Sequence, residues 1–375
     1  MRRAGSAGLV LATPGLLAAC GGIEGSANEN TKAPASVSHP KGPIDELSIS
    51  NWPLYIDKQT NKDFIAQFDV GDLTYTEDVN DNEEFFGKIR QPLAQDKPTG
   101  RDLIVVTDWM AARMLSLGYL EPIDKANLPN AKNLQPGLAS PVWDKDRSYS
   151  LPWQSGMTAI GVNTKETGGP ISSFTDFFDP KFKGRISMLV DPRDAVNFIL
   201  LRDAKDPATA TIDVLAAVEE IDKLNRDGQI RRFTGNDYTQ DLTRGNLAMA
   251  QAYSGDVIQL KAANPDLEFV IPQEGATLWS DNMLIPVNAA EPYGAEAYMN
   301  YVYDPKVAAQ IAAYVNYVTP VVGAKEELAK IDPELAEDEL IFPSDETLAN
   351  LHPFVTLTED EERQMNEAYQ AVIGA

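Results

Sequence analysis

A chain of 375 residues, 43% hydrophobic and 23% charged, has ordinary globular composition and length enough for about two domains. Its 56 acidic residues against 32 Lys and Arg leave a formal net charge of −24, a field that repels nucleic acid and anionic lipid and concentrates cations. The only Cys is Cys20 and the only His are His39 and His352, which excludes a disulfide framework, a thiol redox pair and a Cys- or His-rich zinc site, and restricts any Ser-His-Asp triad to His352.

At the N-terminus, Arg2 and Arg3 precede an apolar stretch from Ala7 to Ala19 that is too short to span a bilayer. Residues 1–19 therefore read as an export signal peptide. Leu17-Ala18-Ala19-Cys20 resembles the lipobox of bacterial lipoproteins. That resemblance implies cleavage before Cys20, lipidation of its thiol and a membrane anchor. The Arg pair leaves the export route open between the general and the twin-arginine pathways. Residues 20–44 are rich in Gly, Ser, Pro, Ala and Asn without periodic apolar spacing, and read as a flexible tether to an extracytoplasmic body.

From Leu47 onward strands alternate with helices. Strands are expected at 47–50, 73–76 and 102–106, with helices at 63–68, 82–95 and 109–117 between and after them. A second set begins with strands at 158–162 and 186–190, then helices at 195–204 and 211–224, then strands at 247–252 and 268–271. A short strand is expected at 283–286. Helices follow at 293–303, 305–314 and 358–373, the last with a capping box between Thr358 and Glu361. The interleaving indicates a largely parallel α/β sheet in two lobes, whose ligands collect at the carboxyl ends of strands.

Aromatic and acidic clusters stand at those ends. Asn51-Trp52-Pro53-Leu54-Tyr55 follows the first strand and Thr107-Asp108-Trp109 follows the run DLIVV. Asp191-Pro192-Arg193-Asp194, Tyr253-Ser254-Gly255-Asp256 and Leu278-Trp279-Ser280-Asp281-Asn282 complete the set. These clusters contain one Arg and no Lys. A ring-walled acidic cleft suits an organic cation, because ring faces attract ammonium groups and carboxylates accept charge-assisted hydrogen bonds. Each cluster also has a plainer reading. Asp191 before Pro192 has the form of a helix N-cap with Pro at N1, and Asp281-Asn282 has the form of a turn.

Several blocks, in order, resemble the spermidine/putrescine-binding proteins of bacterial ABC importers, within the type 2 periplasmic binding proteins. They include Asn51-Trp52-x-x-Tyr55, the run 102–107, Leu151-Pro152-Trp153 leading into 158–163, and Asp191-x-Arg193-Asp194. Glu274-Gly275 with Trp279-Ser280-Asp281, Ile285-Pro286-x-Asn288-Ala289 and Tyr317-x-Thr319-Pro320 continue the series. The resemblance implies an α/β, two-lobed periplasmic binding protein-like fold with a hinge and an interlobe cleft. One lobe would comprise residues 45–156 and 282–320, the other 157–281 and 321–375, with crossings near 156–158, 279–281 and 319–322.

The same resemblance implies a ligand-binding set of Trp52, Tyr55, Thr107, Trp109, Asp191, Asp194, Tyr253, Trp279, Asp281 and Tyr317, and no catalytic residue, cofactor or metal. It implies a monomer that hands a small cationic amine to a permease worked by an ATPase, outside the cytoplasm and without nucleic acid. Pro53-Leu54 replaces a polar pair, Tyr253 stands where Trp is frequent, and 351–354 offers no counterpart to the family's Gln. The length of the amine therefore stays open. Another organic cation or iron in the same fold, a ligand sensor, or a secreted carboxylate-dependent hydrolase are the alternatives.

Overall fold

The computed structural model describes residues 37–203, 214–355 and 357–374. The expected signal peptide, Cys20 and most of the tether lie outside the described residues. Among the described residues ten strands form one sheet: β1 (Glu46–Asn51), β2 (Asp72–Glu77), β3 (Leu103–Thr107), β4 (Ser150–Asn163), β5 (Ile186–Leu189), β6 (Ile230–Thr234), β7 (Met249–Tyr253), β8 (Leu267–Val270), β9 (Ala276–Leu284) and β10 (Leu351–His352). Their order is β2-β1-β3-β9-β4-β7-β5-β6, with β10 beside β9 and β8 beside β4.

The sheet is mixed, which corrects the expectation of a largely parallel one. Its flanks are parallel (β2-β1-β3 and β7-β5-β6), whereas β9 runs antiparallel to both β3 and β4, and β4 runs antiparallel to β7 and β8. Antiparallel pairing needs no crossover helix, so two long strands can lie side by side through the middle of the molecule. Two large apolar cores result, one on each flank. The first gathers Leu47, Ile49, Phe64, Phe85 and residues 103–106; the second gathers Ile186, Met188, Phe198, Ile221 and Tyr369.

Strand β4 joins the two cores. Leu151 and Trp153 lie in the first core, Ile160 and Val162 in the second. Its first half escapes the sequence pattern because Pro152 and Gly156 interrupt it. A register shift between Pro152 and Gln154 accommodates the proline, which has no N–H to give to a ladder. Strand β9 likewise starts at Ala276, well before the expected 283–286, so Trp279 and Asp281 lie inside a strand and not in a turn ahead of one.

Helix ends follow the sequence chemistry. Asp57 and Asp81 cap their helices by accepting from backbone N–H groups, Pro stands in the first turn at Pro192, Pro292 and Pro305, and the Thr358–Glu361 capping box forms. Two findings revise the expected layout. Val321 and Ala324 pack in the first core, and Leu328 packs against Ala309 and Ala312 of the helix Pro305–Val315. The helix Ala324–Ile331 thus packs with the first core, whereas the expected layout put 321–375 with the other lobe. The end of the presumed tether is also held: His39 Nδ1 lies 2.6 Å from Glu296 Oε1, and the His39 N–H donates to Asp124 Oδ2 at 3.2 Å. Among the described residues, no helix is long and apolar enough to cross a membrane.

Candidate functional site

A cleft with about 380 Å³ of empty space opens where the two cores meet. Trp52, Pro53, Tyr55 and Thr107 line it from the ends of β1 and β3. Asp194, Asn236, Tyr253 and Asp256 line it from the segments after β5, β6 and β7. Trp279 and Asp281 reach it from the middle of β9, and Tyr317 and Phe354 from the connections beyond. Neither Lys nor Arg is among these residues.

The rings form a continuous wall of two edge-to-face contacts and one tilted one. Tyr253 meets Trp279 at 5.5 Å and 81°, Trp279 meets Tyr317 at 5.5 Å and 56°, and Tyr317 meets Tyr55 at 5.1 Å and 81°. Two glycines make this possible. A Cβ at Gly156 would stand 2.5 Å from Trp279 Cζ2, and one at Gly255 only 2.4 Å from Tyr317 Cε2. The rings approach the backbone where no side chain stands at both positions.

The three cleft acids differ in how they are satisfied. Asp281 accepts from Tyr55 OH at 3.0 Å and from Thr107 Oγ1 at 2.9 Å. Burial nonetheless pushes its carboxyl up to about 7, with the neighbouring Asp108 and Asp191 charges adding to the rise. Asp256 accepts from Tyr317 OH and Tyr238 OH, both at 2.9 Å, and from Asn236 Nδ2 at 2.8 Å. Burial outweighs these bonds and keeps its carboxyl above the usual range. Asp194 is the exception. Its Oδ2 takes a long bond from Tyr253 OH at 3.4 Å and its buried Oδ1 accepts no bond of ordinary geometry, the Thr158 and Tyr253 hydroxyls easing the carboxylate only in part. Burial, then the charge of Asp191, raises its carboxyl well above the ordinary value. The indole Nε1 of Trp52 is likewise buried and unpartnered. Orphaned buried polar atoms cost about 1–3 kcal/mol each, and two of them on residues lining one cleft are candidates to meet a ligand's donors and acceptors.

Eight of the ten expected residues thus share one cleft: Trp52, Tyr55, Thr107, Asp194, Tyr253, Trp279, Asp281 and Tyr317. The other two lie outside its lining. Asp191 caps the helix Pro192–Arg202, its Oδ1 accepting from the N–H groups of Arg193 at 2.9 Å and Asp194 at 3.3 Å. It adopts the plainer role its sequence context allowed; burial raises its carboxyl to about 6, and its Oδ2 accepts at 3.4 Å from Asn82 Nδ2, which also donates to the cleft hydroxyl of Thr107. Trp109 lies under two guanidiniums, with Arg113 at 5.1 Å and Arg193 at 5.2 Å from its ring centre.

Comparison with known proteins fits this architecture. Residues 61–343, well over half the chain, match the family model described as bacterial extracellular solute-binding protein. The chain belongs to that family. It is 28% identical over 350 residues to the spermidine/putrescine-binding periplasmic protein 1 of Haemophilus influenzae, covering 92% of each chain. It is 29% identical over 330 residues to the putrescine-binding periplasmic protein PotF of Escherichia coli, covering 81% of this chain and 85% of that one. Among solved structures, a putative spermidine/putrescine ABC transporter from Listeria monocytogenes superposes with a TM-score of 0.77 at 27% identity, over 88% of this chain and 98% of that one. The two-lobed binding-protein fold follows from this likeness.

Within the family fold, Pro53, Asn236, Asp256 and Phe354 are the lining residues absent from the expected set. Asp256 belongs to a cluster already singled out, but in the first turn of the helix Ser254–Lys261 an acid reads as a dipole partner. Asn236 lies in a connection after β6, a strand with no clear period in the sequence. Phe354 lies in the stretch with no family counterpart. The signal that points to Asp256 is the Gly-Asp pair itself: the glycine admits the Tyr317 ring and the acid receives its hydroxyl.

Proposed function

We propose that this protein captures a linear polyamine of the spermidine/putrescine class between its lobes and delivers it to an ABC permease, working as a monomer held at the membrane by a lipid on Cys20. The observation that carries this reading is the cleft's charge arrangement. Three buried acids, one with an orphaned oxygen, share a ring-walled space with no basic side chain in its lining. Rings cover methylene chains, and the acids accept from the ammonium ends.

Strands β4 and β9 pass between the cores and would serve as hinge strands. Closure excludes water from the cleft, which strengthens each ion pair made there and penalises each acid left alone. A bound dication therefore favours the closed form, and the closed form is what a permease would recognise. The names of the relatives, which bind spermidine and putrescine, support the same class.

Titration calorimetry of the lipid-free body with putrescine, cadaverine, spermidine, spermine and glycine betaine tests the reading. One-to-one binding of at least one polyamine, with a higher melting temperature and altered Trp fluorescence, is expected. Binding of glycine betaine alone, or of none of the five, overturns it.

A further inference from the structure

Trp109 occupies a charged cluster that spans the two cores. It belongs to the first core, on the helix Asp108–Ser116, as does Arg113 one turn later. Arg193 comes from the helix Pro192–Arg202 and Glu362 from the helix Glu359–Ile373, both packed in the second core. Arg113 and Arg193 each donate an Nη2 bond to the same oxygen, Glu362 Oε1, at 2.7 and 2.8 Å. On the other side, Arg113 Nη1 and Asn366 Nδ2 both donate to Glu83 Oε1, at 2.8 and 3.0 Å.

We infer that this cluster is a closed-state clamp: Arg113 and Glu83 of one lobe grip Glu362 and Asn366 of the other, and so set ligand affinity without touching the ligand. The inference rests on the solute-binding reading above. Two features distinguish a clamp from a permanent weld. The first is charge balance within each lobe. Arg113 keeps Glu83 when the lobes part, and Arg193 keeps Glu362, so opening strands no ion. Only the shared bonds, Arg113–Glu362 and Asn366–Glu83, are given up, together with the contact of Arg193 with the Trp109 ring. The second is position. Arg193, 3% exposed and also donating to the Val355 carbonyl at 2.9 Å, directly precedes Asp194, whose carboxyl lines the cleft. A ligand that fixes Asp194 therefore fixes the helix turn that carries half of the clamp.

If only the closed form retains ligand, apparent affinity scales with the fraction of molecules able to close. Loss of the clamp then acts on release and leaves capture unchanged. The test is stopped-flow Trp fluorescence with putrescine or spermidine, whichever binds, on wild type, Arg113→Gln, Glu362→Gln and their double variant. Each single change is expected to raise the dissociation rate and Kd about tenfold with an unchanged association rate, and the double variant is expected to do no more than either single. Asn366→Ala, a milder change on the surface of its helix, is expected to raise release about twofold. Wild-type release rates in all three single variants, with melting temperatures intact, overturn the clamp, as does an association rate that falls in step with affinity.

Wild type separates this outcome from failure of the polyamine reading. If wild type binds none of the five amines, that reading falls; if wild type binds and the single variants release at its rate, the clamp alone is overturned.

Discussion

The cleft and the clamp are built from the same ingredients, aromatic rings and carboxylates, and differ in one. Around Trp109 the protein supplies its own cations: Arg113 and Arg193 stack on the ring and share Glu362. Around Trp279 it supplies none. The acids register the difference. Burial works to raise the Glu362 carboxyl, but the two guanidiniums overcome it and hold it below the usual range. Burial works on Asp281 without such opposition and carries it to about 7. A carboxylate with an internal cation serves the fold, whereas one kept without a cation is available to something from outside.

The comparison is broken most severely by removing the acid with the orphaned oxygen. Asp194→Asn is expected to cost about 3 kcal/mol of binding, roughly a hundredfold in Kd, because an ammonium brought into the closed cleft loses its charge partner. Its melting temperature without ligand should equal or exceed that of wild type, since a buried acid under repulsion has gone. Calorimetry and thermal melts check both halves, and a fully binding Asp194→Asn would move the ligand's charge elsewhere.

Gly255→Ala should come next. A methyl 2.4 Å from Tyr317 Cε2 must displace the ring and with it the bond to Asp256, weakening binding about tenfold while most of the fold persists. The same measurements, with circular dichroism to confirm folding, decide it.

The mildest effect is on pH, and here the sign is fixed by the direction of the shifts. Asp281 titrates near 7 in the folded chain and near 4 once unfolded, so between those values the folded state holds more protons. Ligand-free stability should therefore fall as pH rises from about 4 to about 7. A polyamine binds the ionised acids, so its affinity should rise over pH 6–8 with protons released on binding. Calorimetry in buffers of different ionisation enthalpy measures that release. An affinity independent of pH would mean that Asp281 is already ionised before the ligand arrives.

Much of this was legible in the sequence. The five buried residues of β3, the helix caps at Asp191 and Thr358, and the aromatic-acid clusters at strand ends are local signals, and local physics placed them. What sequence could not convey was direction and partnership. Nothing local says that β9 enters antiparallel, and its Ser-Asp-Asn run resembles a turn until β3 and β4 pair with it on both sides. Trp109 looked like a wall residue because Thr107-Asp108-Trp109 stands at a strand end. Only the arrival of Arg193, far away in sequence, makes it the floor of a cation stack. His39 looked like tether because its partner, Glu296, lies 257 positions on.

The pairing of β4 with β9 has a last consequence. Gly156 faces Trp279 and Gln154 faces Asp281 in a hydrogen-bonded ladder, so neither strand can slip by a residue without turning every side chain over. Trp279 and Asp281 are two positions apart on one pleated face, about 7 Å from each other. That spacing comes from the strand's own rise and not from the surrounding fold. On the binding reading proposed above, it would offer an arriving guest a ring and a carboxyl at a separation written into one strand.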